Sequence, residues 1–501
     1  MTNFPVKKIS FLSPTLSWIT IFTIAIVWIF LKVFHGEYNQ DEFQHSHIIW
    51  NILQGKKMYV DFFDNHGFLY HYLCAFFIKF LGIRPSLDWL TYFRGLSIFL
   101  LICYLMASYR LARQLVNPLF AVVVLLFLTT SSIVFYTGPE IRPDVLQNIF
   151  ILLGLVEYFK PRRSKYSPFW LALWWTLAII TNFKSIINFA AFLICHFTLY
   201  RQDKKYSLHL LYSISLLSLI LIIYLLGNGS LSHIWYCGFW GNIVIFFTGA
   251  NPDLANGIGE GRIIIFKDFI NNYLIAHTGH FILYTMGLYH LFKNGSHPFK
   301  FLAMYSLLLF IFLPFLWSQF GLSFIPVLSL LAVYGLSTIA NDNLRKLVFC
   351  FTLCWSLIHG TKSLLNGSSQ IKQEQENILS FVLENIPRNS YVYALSDSYL
   401  GAPAIVFNQD WDYFWHLIPQ HYKLYKSSAQ GKISFSYEHF KNRIGALGDK
   451  SLYLLLPPNN RDFKYDPFPF WYGVSWEKFQ KDVPPKKRIT IPSTGSILLK
   501  Y

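Results

Sequence analysis

Long apolar runs, separated by short polar or charged segments, recur along most of the chain. An α-helix needs about twenty apolar residues to cross a bilayer, and these runs approach or reach that length. The pattern therefore predicts a multi-span α-helical membrane protein with about eleven spans. The spans are expected near residues 13–35, 89–108, 119–136, 145–159, 168–183, 186–200, 207–226, 272–292, 299–316, 322–340 and 345–362.

The pattern changes after residue 362, where polar residues dominate. A helical stretch is predicted near 370–386. Short strand-like runs follow it, separated by turn residues, at 391–395, 452–456, 488–491 and 496–499. We expect a transmembrane domain over 1–362 and a small α/β domain over 363–501.

Basic residues mark one end of the predicted spans. They are Lys7, Lys8, Arg110, Arg113, the cluster at 160–165, Arg201, Lys204, Lys205, Lys293, Lys300, Arg345 and Lys346. The positive-inside rule places that end in the cytoplasm, provided that the aromatic run 66–82 lies in the membrane interface and does not cross. The outer side then receives 36–88, 137–144, 227–271 and the C-terminal domain. We expect a multi-pass protein of the cell inner (plasma) membrane with an extracytoplasmic C-terminal domain.

Composition supports this interpretation. Hydrophobic residues make up 54% of the chain and charged residues 14%, against roughly 25% charged residues in an average soluble protein. The net charge of +16 does not indicate nucleic-acid binding, because the basic residues lie between apolar runs and form no single face or tail.

The first outer loop concentrates titratable residues close to the bilayer. Asp41 and Glu42 follow the first span directly, at the start of a predicted helix. Acidic residues are favoured at helix N-termini, so capping is one interpretation of the pair. A plain connector, however, would not need the further acids and histidines nearby, which are His45, His47, Asp61, Asp64, His66 and His71.

Four short stretches of this loop carry a family resemblance. They are 38–45, the Gln-Gly turn at 54–55, the run 59–64 and the run 66–70. Together they resemble the first outer loop of the integral-membrane C-type glycosyltransferases. The similarity is greatest to bacterial relatives of protein O-mannosyltransferases and lipid A aminoarabinose transferases. One departure is Gly67-Phe68, which stands where that family commonly has Pro-Pro.

Three weaker matches lie further along the chain. Arg142-Pro143-Asp144 resembles an Arg-Pro-Asp motif that the family places after its third span. Lys184 resembles a basic residue at the outer end of a later span, and Gln319 with Pro326 resembles a late Gln-Pro pattern. In layout the resemblance covers about residues 10–340, and the C-terminal domain has no counterpart in it.

The resemblance implies an inverting glycosyltransferase that uses a polyprenyl-phosphate-linked sugar donor and a protein, lipid or glycan acceptor. Such a site needs a carboxylate for the acceptor hydroxyl and cations for the departing phosphate. We predict Asp41 and Glu42 as the catalytic carboxylates. The predicted donor-phosphate residues are Arg142, Lys184 and Arg262, and the supporting residues are Glu140, Asp144, His45, His66 and Tyr59. No organic cofactor is implied, and the sequence leaves a divalent-cation requirement open.

Alternatives remain at each cation. Arg142 could pair with Glu140 or Asp144, Lys184 could extend from a span end to the interface, and Arg262 could be a solvated loop residue. His45 and His47 are two residues apart, so a helix would direct them away from each other and from a shared metal.

Two other functions also remain. A transporter or flippase for the same lipid would be expected to show repeats and broken helices near the midplane. The other alternative is a non-catalytic membrane scaffold.

The Gly-rich stretch 257–261 lacks the features of a phosphate loop and is interpreted as part of a lid formed by 227–271.

Overall fold

The computed structural model contains helices at all the predicted spans. It describes residues 14–36, 38, 40–59, 66–82, 88–161, 164–199, 204–227, 231–235, 266–267, 269–312, 318–365, 368–387, 390–394, 437–447, 451–456 and 474–501. The first helices are α1 Pro14–Phe30, α2 Gln40–Leu53, α3 Leu69–Leu81, α4 Asp88–Leu115, α5 Pro118–Thr129, α6 Ser132–Thr137, α7 Asp144–Tyr158, α8 Ser167–Thr181, α9 Ser185–Leu199, α10 Lys204–Gly227 and α11 Leu231–Ile234. Those that follow in the membrane part are α12 Thr278–Asn294, α13 His297–Phe312, α14 Ile325–Thr338 and α15 Asp342–Leu365.

Several predicted spans are irregular at one end. The first continues from α1 into a π-helix, Leu31–His35. The run 119–136 is divided into α5 and α6 at Thr130 and Ser131. A π-helix, Ile270–Ile275, precedes α12, and a 3₁₀ helix, Ser318–Ser323, precedes α14. Irregular turns of this kind often mark functional regions of helices.

Helices α12 and α14 pack backbone against backbone. A Cβ added at Gly287 would lie 2.4 Å from the Leu331 carbonyl oxygen, and one at Gly335 would lie 1.9 Å from that of Leu283. Small residues that allow such close approach are typical of helix packing in membranes.

The surface of the bundle is apolar. Exposed side chains include Phe22, Phe99, Ile223 and Phe292, as expected for a surface that faces lipid. Among the described residues, four helices are long and apolar enough to cross a bilayer on their own: Thr15–Val33, Tyr92–Leu115, Lys204–Gly227 and Gly321–Thr338. The protein is a multi-span helical membrane protein.

The segment between the first span and α4 begins and ends at the same end of the helix bundle. Arg94, near the start of α4, donates from Nη1 to the carbonyl oxygens of Lys32 and Gly36 at 3.1 and 3.0 Å. At 13 residues, α3 is roughly 20 Å long, shorter than the ~30 Å hydrocarbon core. Its interfacial position remains a prediction.

The C-terminal part forms a small α/β unit. Helix α16, Ser368–Asn385, precedes a four-stranded sheet formed by β1 Tyr391–Ala394, β2 Leu452–Leu456, β3 Lys487–Thr490 and β4 Ile497–Lys500. The strand order is β1-β2-β4-β3, with β1 and β2 parallel and the other pairs antiparallel. Its other described helices are α17, Tyr437–Gly445, and α18, Trp476–Asp482. The predicted α/β composition of this region is confirmed.

Candidate functional site

The first turn of α2 meets the start of α7 at one end of the bundle. Asp41 lies in this first turn, and its Oδ2 is 2.5 Å from Nη1 of Arg142, which lies just before α7. The Asp41 side chain is 29% exposed, whereas that of Glu42 is fully buried. Of these two adjacent carboxylates, Asp41 is therefore the one within reach of a molecule from outside.

Arg142 is surrounded by carboxylates. Besides Asp41, its Nε lies 3.0 Å from Asp144 Oδ2 and its Nη1 lies 3.5 Å from Glu140 Oε2. Burial opposes the charged form of Arg142, but Asp41, Asp144 and Glu140 outweigh it and raise its pKa. The ion pairing that the sequence left open for Arg142 is thus present, and the guanidinium holds Asp41 in place.

Glu42 forms a buried bidentate pair with Arg94. Arg94 Nε donates to Glu42 Oε1 at 2.8 Å, and Nη2 donates to Oε2 at 2.7 Å. The backbone N–H of Ile141 also donates to Glu42 Oε1 at 3.4 Å. Glu42 therefore joins α2, α4 and the loop before α7, which suits a structural support for its neighbour Asp41.

A second buried pair joins Lys32 to Glu140. Lys32 Nζ lies 3.0 Å from Glu140 Oε1, and both side chains are 1% exposed. Burial raises the pKa of Glu140, while Lys32 and Arg142 act in the opposite direction. We name the charge cluster as Lys32, Asp41, Glu42, Arg94, Glu140, Arg142 and Asp144. Its four carboxylates outnumber its three cations, so it holds no excess positive charge for a phosphate.

Lys184 lies beside this cluster, in the turn between α8 and α9. Asn182 bridges the two, since its Nδ2 lies 3.5 Å from Asp144 Oδ1 and its Oδ1 accepts from the backbone N–H of Lys184 at 3.2 Å. The Lys184 side chain is half-buried, and Lys184 directly precedes the N-terminus of α9. Helix N-termini attract anions, so charge and backbone dipoles both favour an anion near Lys184.

Three histidines adjoin the cluster on the first outer segment. His45 Nδ1 lies 2.8 Å from His71 Nε2, and the rings of His45 and His66 are 4.7 Å apart. His71 Nδ1 faces the Gly67 carbonyl oxygen at 3.2 Å. A carbonyl only accepts, so His71 carries its proton on Nδ1, and in the neutral pair His45 Nδ1 donates to His71 Nε2. Among the described residues, no group of three or more His, Cys, Asp or Glu is arranged to hold a metal ion.

The backbone around these histidines is tightly constrained. The Tyr59 hydroxyl donates to the His66 carbonyl oxygen, and Tyr59 has a left-handed φ of 68°. A non-glycine residue at such a φ is uncommon and is often found at a functional site. Gly67 packs against the end of α8, where an added Cβ would lie 2.2 Å from the Ile180 carbonyl oxygen.

Most of the residues predicted from the sequence lie together. The charge cluster contains Asp41, Glu42, Glu140, Arg142 and Asp144, while His45, His66 and Tyr59 lie on the adjoining outer segment. Lys184 joins through Asn182. Arg262, Asp61, Asp64 and most of the predicted lid 227–271 fall outside the described residues.

Sequence reasoning missed Lys32, Arg94 and Asn182. Lys32 and Arg94 each interrupt an apolar run that was predicted to span. A charge inside such a run is costly unless it has a partner or a function, and this signal alone would have singled them out.

No protein-family model matches the sequence, and no curated protein sequence matches it. Solved structures do match. ArnT from Cupriavidus metallidurans bound to undecaprenyl phosphate aligns with a TM-score of 0.66 at 9% identity, covering 97% of this chain and 98% of that one. The oligosaccharyltransferase of Archaeoglobus fulgidus, tethered with an acceptor peptide, aligns with a TM-score of 0.54 at 12% identity, covering 97% and 74%. The same organism's AglB with an inhibitory peptide and a dolichol-phosphate gives 0.56 at 11%, covering 91% and 71%.

At these identities the likeness establishes the fold. The ArnT match extends over nearly the full length of both chains, so it includes the C-terminal region as well as the membrane helices. The multi-span helical fold that the sequence resemblance implied, which ArnT and AglB share, is confirmed.

Proposed function

We propose that the protein is a glycosyltransferase that moves a sugar from a polyprenyl-phosphate-linked donor to a hydroxyl of a lipid, glycan or protein acceptor. The observation that carries this proposal is the partly exposed Asp41 carboxylate, held by Arg142 at one end of a bundle with the ArnT fold. The related structures hold undecaprenyl phosphate, a dolichol-phosphate and an acceptor peptide, which supports the proposed donor and acceptor classes.

The proposed reaction is a single displacement. The acceptor oxygen attacks the anomeric carbon, the bond from that carbon to the phosphate oxygen breaks, and Asp41 orients the acceptor and takes its hydroxyl proton. The polyprenyl phosphate leaves with the bonding electrons, and the anomeric configuration is inverted. General-base assistance of this kind contributes about 10²–10⁴-fold to the rate.

Phosphate departure requires positive charge near the leaving oxygen. Because carboxylates already surround Arg142, we propose that Lys184 and the N-terminus of α9 supply most of that charge. In this proposal Arg142 mainly orients Asp41 and contributes to the phosphate site from its edge. The donor lipid remains in the bilayer, so we place the reaction at the extracytoplasmic face of the inner membrane.

Transfer by the purified protein tests the proposal. The purified protein is incubated with radiolabelled polyprenyl-phosphate sugars and with a membrane extract as the source of acceptor. The labelled product is measured for the wild type, Asp41→Asn and Asp342→Asn. Asp342 is a matched control, since it also lies in the first turn of a helix and forms an ion pair with an arginine, Arg345.

Asparagine keeps the shape of aspartate and is a good helix cap. We expect Asp41→Asn to lower the transfer rate about 10²-fold or more and Asp342→Asn to leave it near wild type. A near wild-type rate in a folded Asp41→Asn protein would remove Asp41 as the base. Movement of donor lipid across vesicles without any transfer would favour a flippase.

A further inference from the structure

Helix α16 of the C-terminal unit contacts the chain just before the acidic pair. Gln375 Oε1 accepts from the backbone N–H of Tyr38 at 2.9 Å, and Gln375 Nε2 donates to the Tyr38 carbonyl oxygen at 2.8 Å. Gln375 is 1% exposed and Tyr38 is 7% exposed. One carboxamide thus binds both backbone groups of a single buried residue, which fixes the position and the orientation of that peptide segment.

Lys372, one turn earlier on the same helix, holds a second backbone point. Its Nζ donates to the Val33 carbonyl oxygen at 2.9 Å and lies 5.7 Å from the centre of the Tyr38 ring. Carbonyls in the last turn of a helix lack intrahelical partners and favour cations. Arg94 holds the neighbouring carbonyls of Lys32 and Gly36. Side chains from α16 and α4 therefore secure the exit of the first span.

The secured segment leads directly into Asp41. Tyr38 precedes Asp41 by three residues, and α2 begins between them at Gln40. A shift of Tyr38 would rotate or translate the first turn of α2, and with it the Asp41 carboxylate. Catalytic groups lose activity when displaced by about 1 Å, so support of this kind matters more for rate than for substrate binding.

We propose that Gln375 is a positioning residue, assisted by Lys372, through which the C-terminal unit holds the Asp41 carboxylate in its working position. This inference rests on the proposed transferase function and extends it. The C-terminal unit then supports the active site across more than 300 residues of sequence.

The test uses the full-length protein with Gln375→Met, which keeps side-chain volume but removes both hydrogen bonds. Gln373→Ala is the matched control, because Gln373 is exposed on the same helix and its Nε2 donates to Asn377 of that helix. Transfer kinetics and backbone hydrogen exchange over residues 36–44 are measured on monodisperse protein. We expect Gln375→Met to lower kcat about tenfold or more with little change in donor KM, and to speed exchange over 36–44. Gln373→Ala should change neither.

The two measurements separate failures. Unchanged hydrogen exchange over residues 36–44 in Gln375→Met would show that Gln375 does not hold this segment, whatever the transfer activity. Faster exchange with unchanged kcat, or a loss confined to donor KM, would overturn the positioning role. If the wild-type protein transfers no sugar, the proposed function fails instead, while the exchange data still show whether α16 secures this segment.

Discussion

Asp41 and Glu42 are neighbours in sequence, but their carboxylates are placed for different work. Both oxygens of Glu42 are bound by Arg94, and the side chain is fully buried. Asp41 shares Arg142 with two other carboxylates and keeps part of its surface exposed. The helical turn that brings both residues to the site therefore directs one inward as a support and one outward as a candidate base.

The buried pair of Glu42 with Arg94 should dominate local stability. Removing one partner leaves a buried charge without compensation, which costs about 3–5 kcal/mol. We expect Glu42→Gln to lower the thermal unfolding midpoint in detergent markedly. The matched change at an exposed acid of α16, Glu384→Gln, should have little effect.

A double-variant cycle checks the origin of this loss. In Glu42→Gln with Arg94→Met the unpaired charge is gone, so destabilisation should be less than the sum of the two single variants. Strict additivity would show that the pair does not act as a unit.

Lys184 is expected to bind the donor phosphate. A bound phosphate would bury the Lys184 ammonium, and truncating one partner of a buried charge pair costs about 2–5 kcal/mol of binding. Lys184→Ala should therefore weaken the affinity for undecaprenyl phosphate measured by titration. Lys165→Ala, an exposed lysine beyond the other end of α8, is the control. The same titration with Arg142→Ala tests the second cation, and unchanged affinity in both variants would exclude them from the phosphate site.

At the scale of elements, the first outer segment depends on a close backbone contact with α8. Gly67 has no left-handed φ, so an alanine there is opposed only by space, with the Ile180 carbonyl oxygen 2.2 Å from its Cβ. We expect Gly67→Ala to lower the free energy of unfolding by about 1–3 kcal/mol through overpacking. It should also reduce transfer, because this segment carries His66, whose ring contacts His45 on the same helix as Asp41.

Gly95 offers the control for that substitution. An added Cβ there meets nothing within 4 Å, and alanine suits the interior of α4 better than glycine. Gly95→Ala should therefore keep stability and activity. Equal behaviour of the two alanine variants in thermal unfolding would show that the contact with α8 is not restrictive.

Helix positions could be predicted from the sequence because membrane thickness fixes the length of an apolar run. The predicted run 145–159, for example, corresponds to Asp144–Tyr158. The strand-like run 452–456 corresponds to Leu452–Leu456. The break between α5 and α6 was not predicted, since the chain has no proline or glycine at Thr130 or Ser131.

Much of the candidate site could also be predicted, because Asp41, Arg142 and Lys184 lie at polar boundaries of apolar runs. Their partners could not. The pairs of Lys32 with Glu140 and of Arg94 with Glu42 join residues 108 and 52 positions apart, and only the packing of helices decides such distant contacts. The same holds for Gln375 and Tyr38, whose contact spans 337 positions.

At the scale of the whole molecule, charge separates the two ends of the bundle. The charge cluster, Lys184 and the contact of α16 with Val33 lie at one end. Arg110 and Arg113 lie at the far end of α4, and Lys160 follows the far end of α7. From Arg94 to Arg110 the helix rises roughly 24 Å, which is most of the hydrocarbon thickness of a bilayer.

From the positive-inside rule we predict that the basic end faces the cytoplasm and that the site and the C-terminal unit lie outside it. Single cysteines at Ser164 and Glu384, both exposed and expected at opposite ends, test this in a variant that lacks the six native cysteines. A membrane-impermeant maleimide should label Glu384→Cys in intact cells, and Ser164→Cys only after permeabilisation. Labelling of both from one side would refute the arrangement. Labelling of Glu384→Cys only after permeabilisation would also contradict an extracytoplasmic reaction, because Asp41 lies at the same end of the bundle as α16 and would face the same side of the membrane.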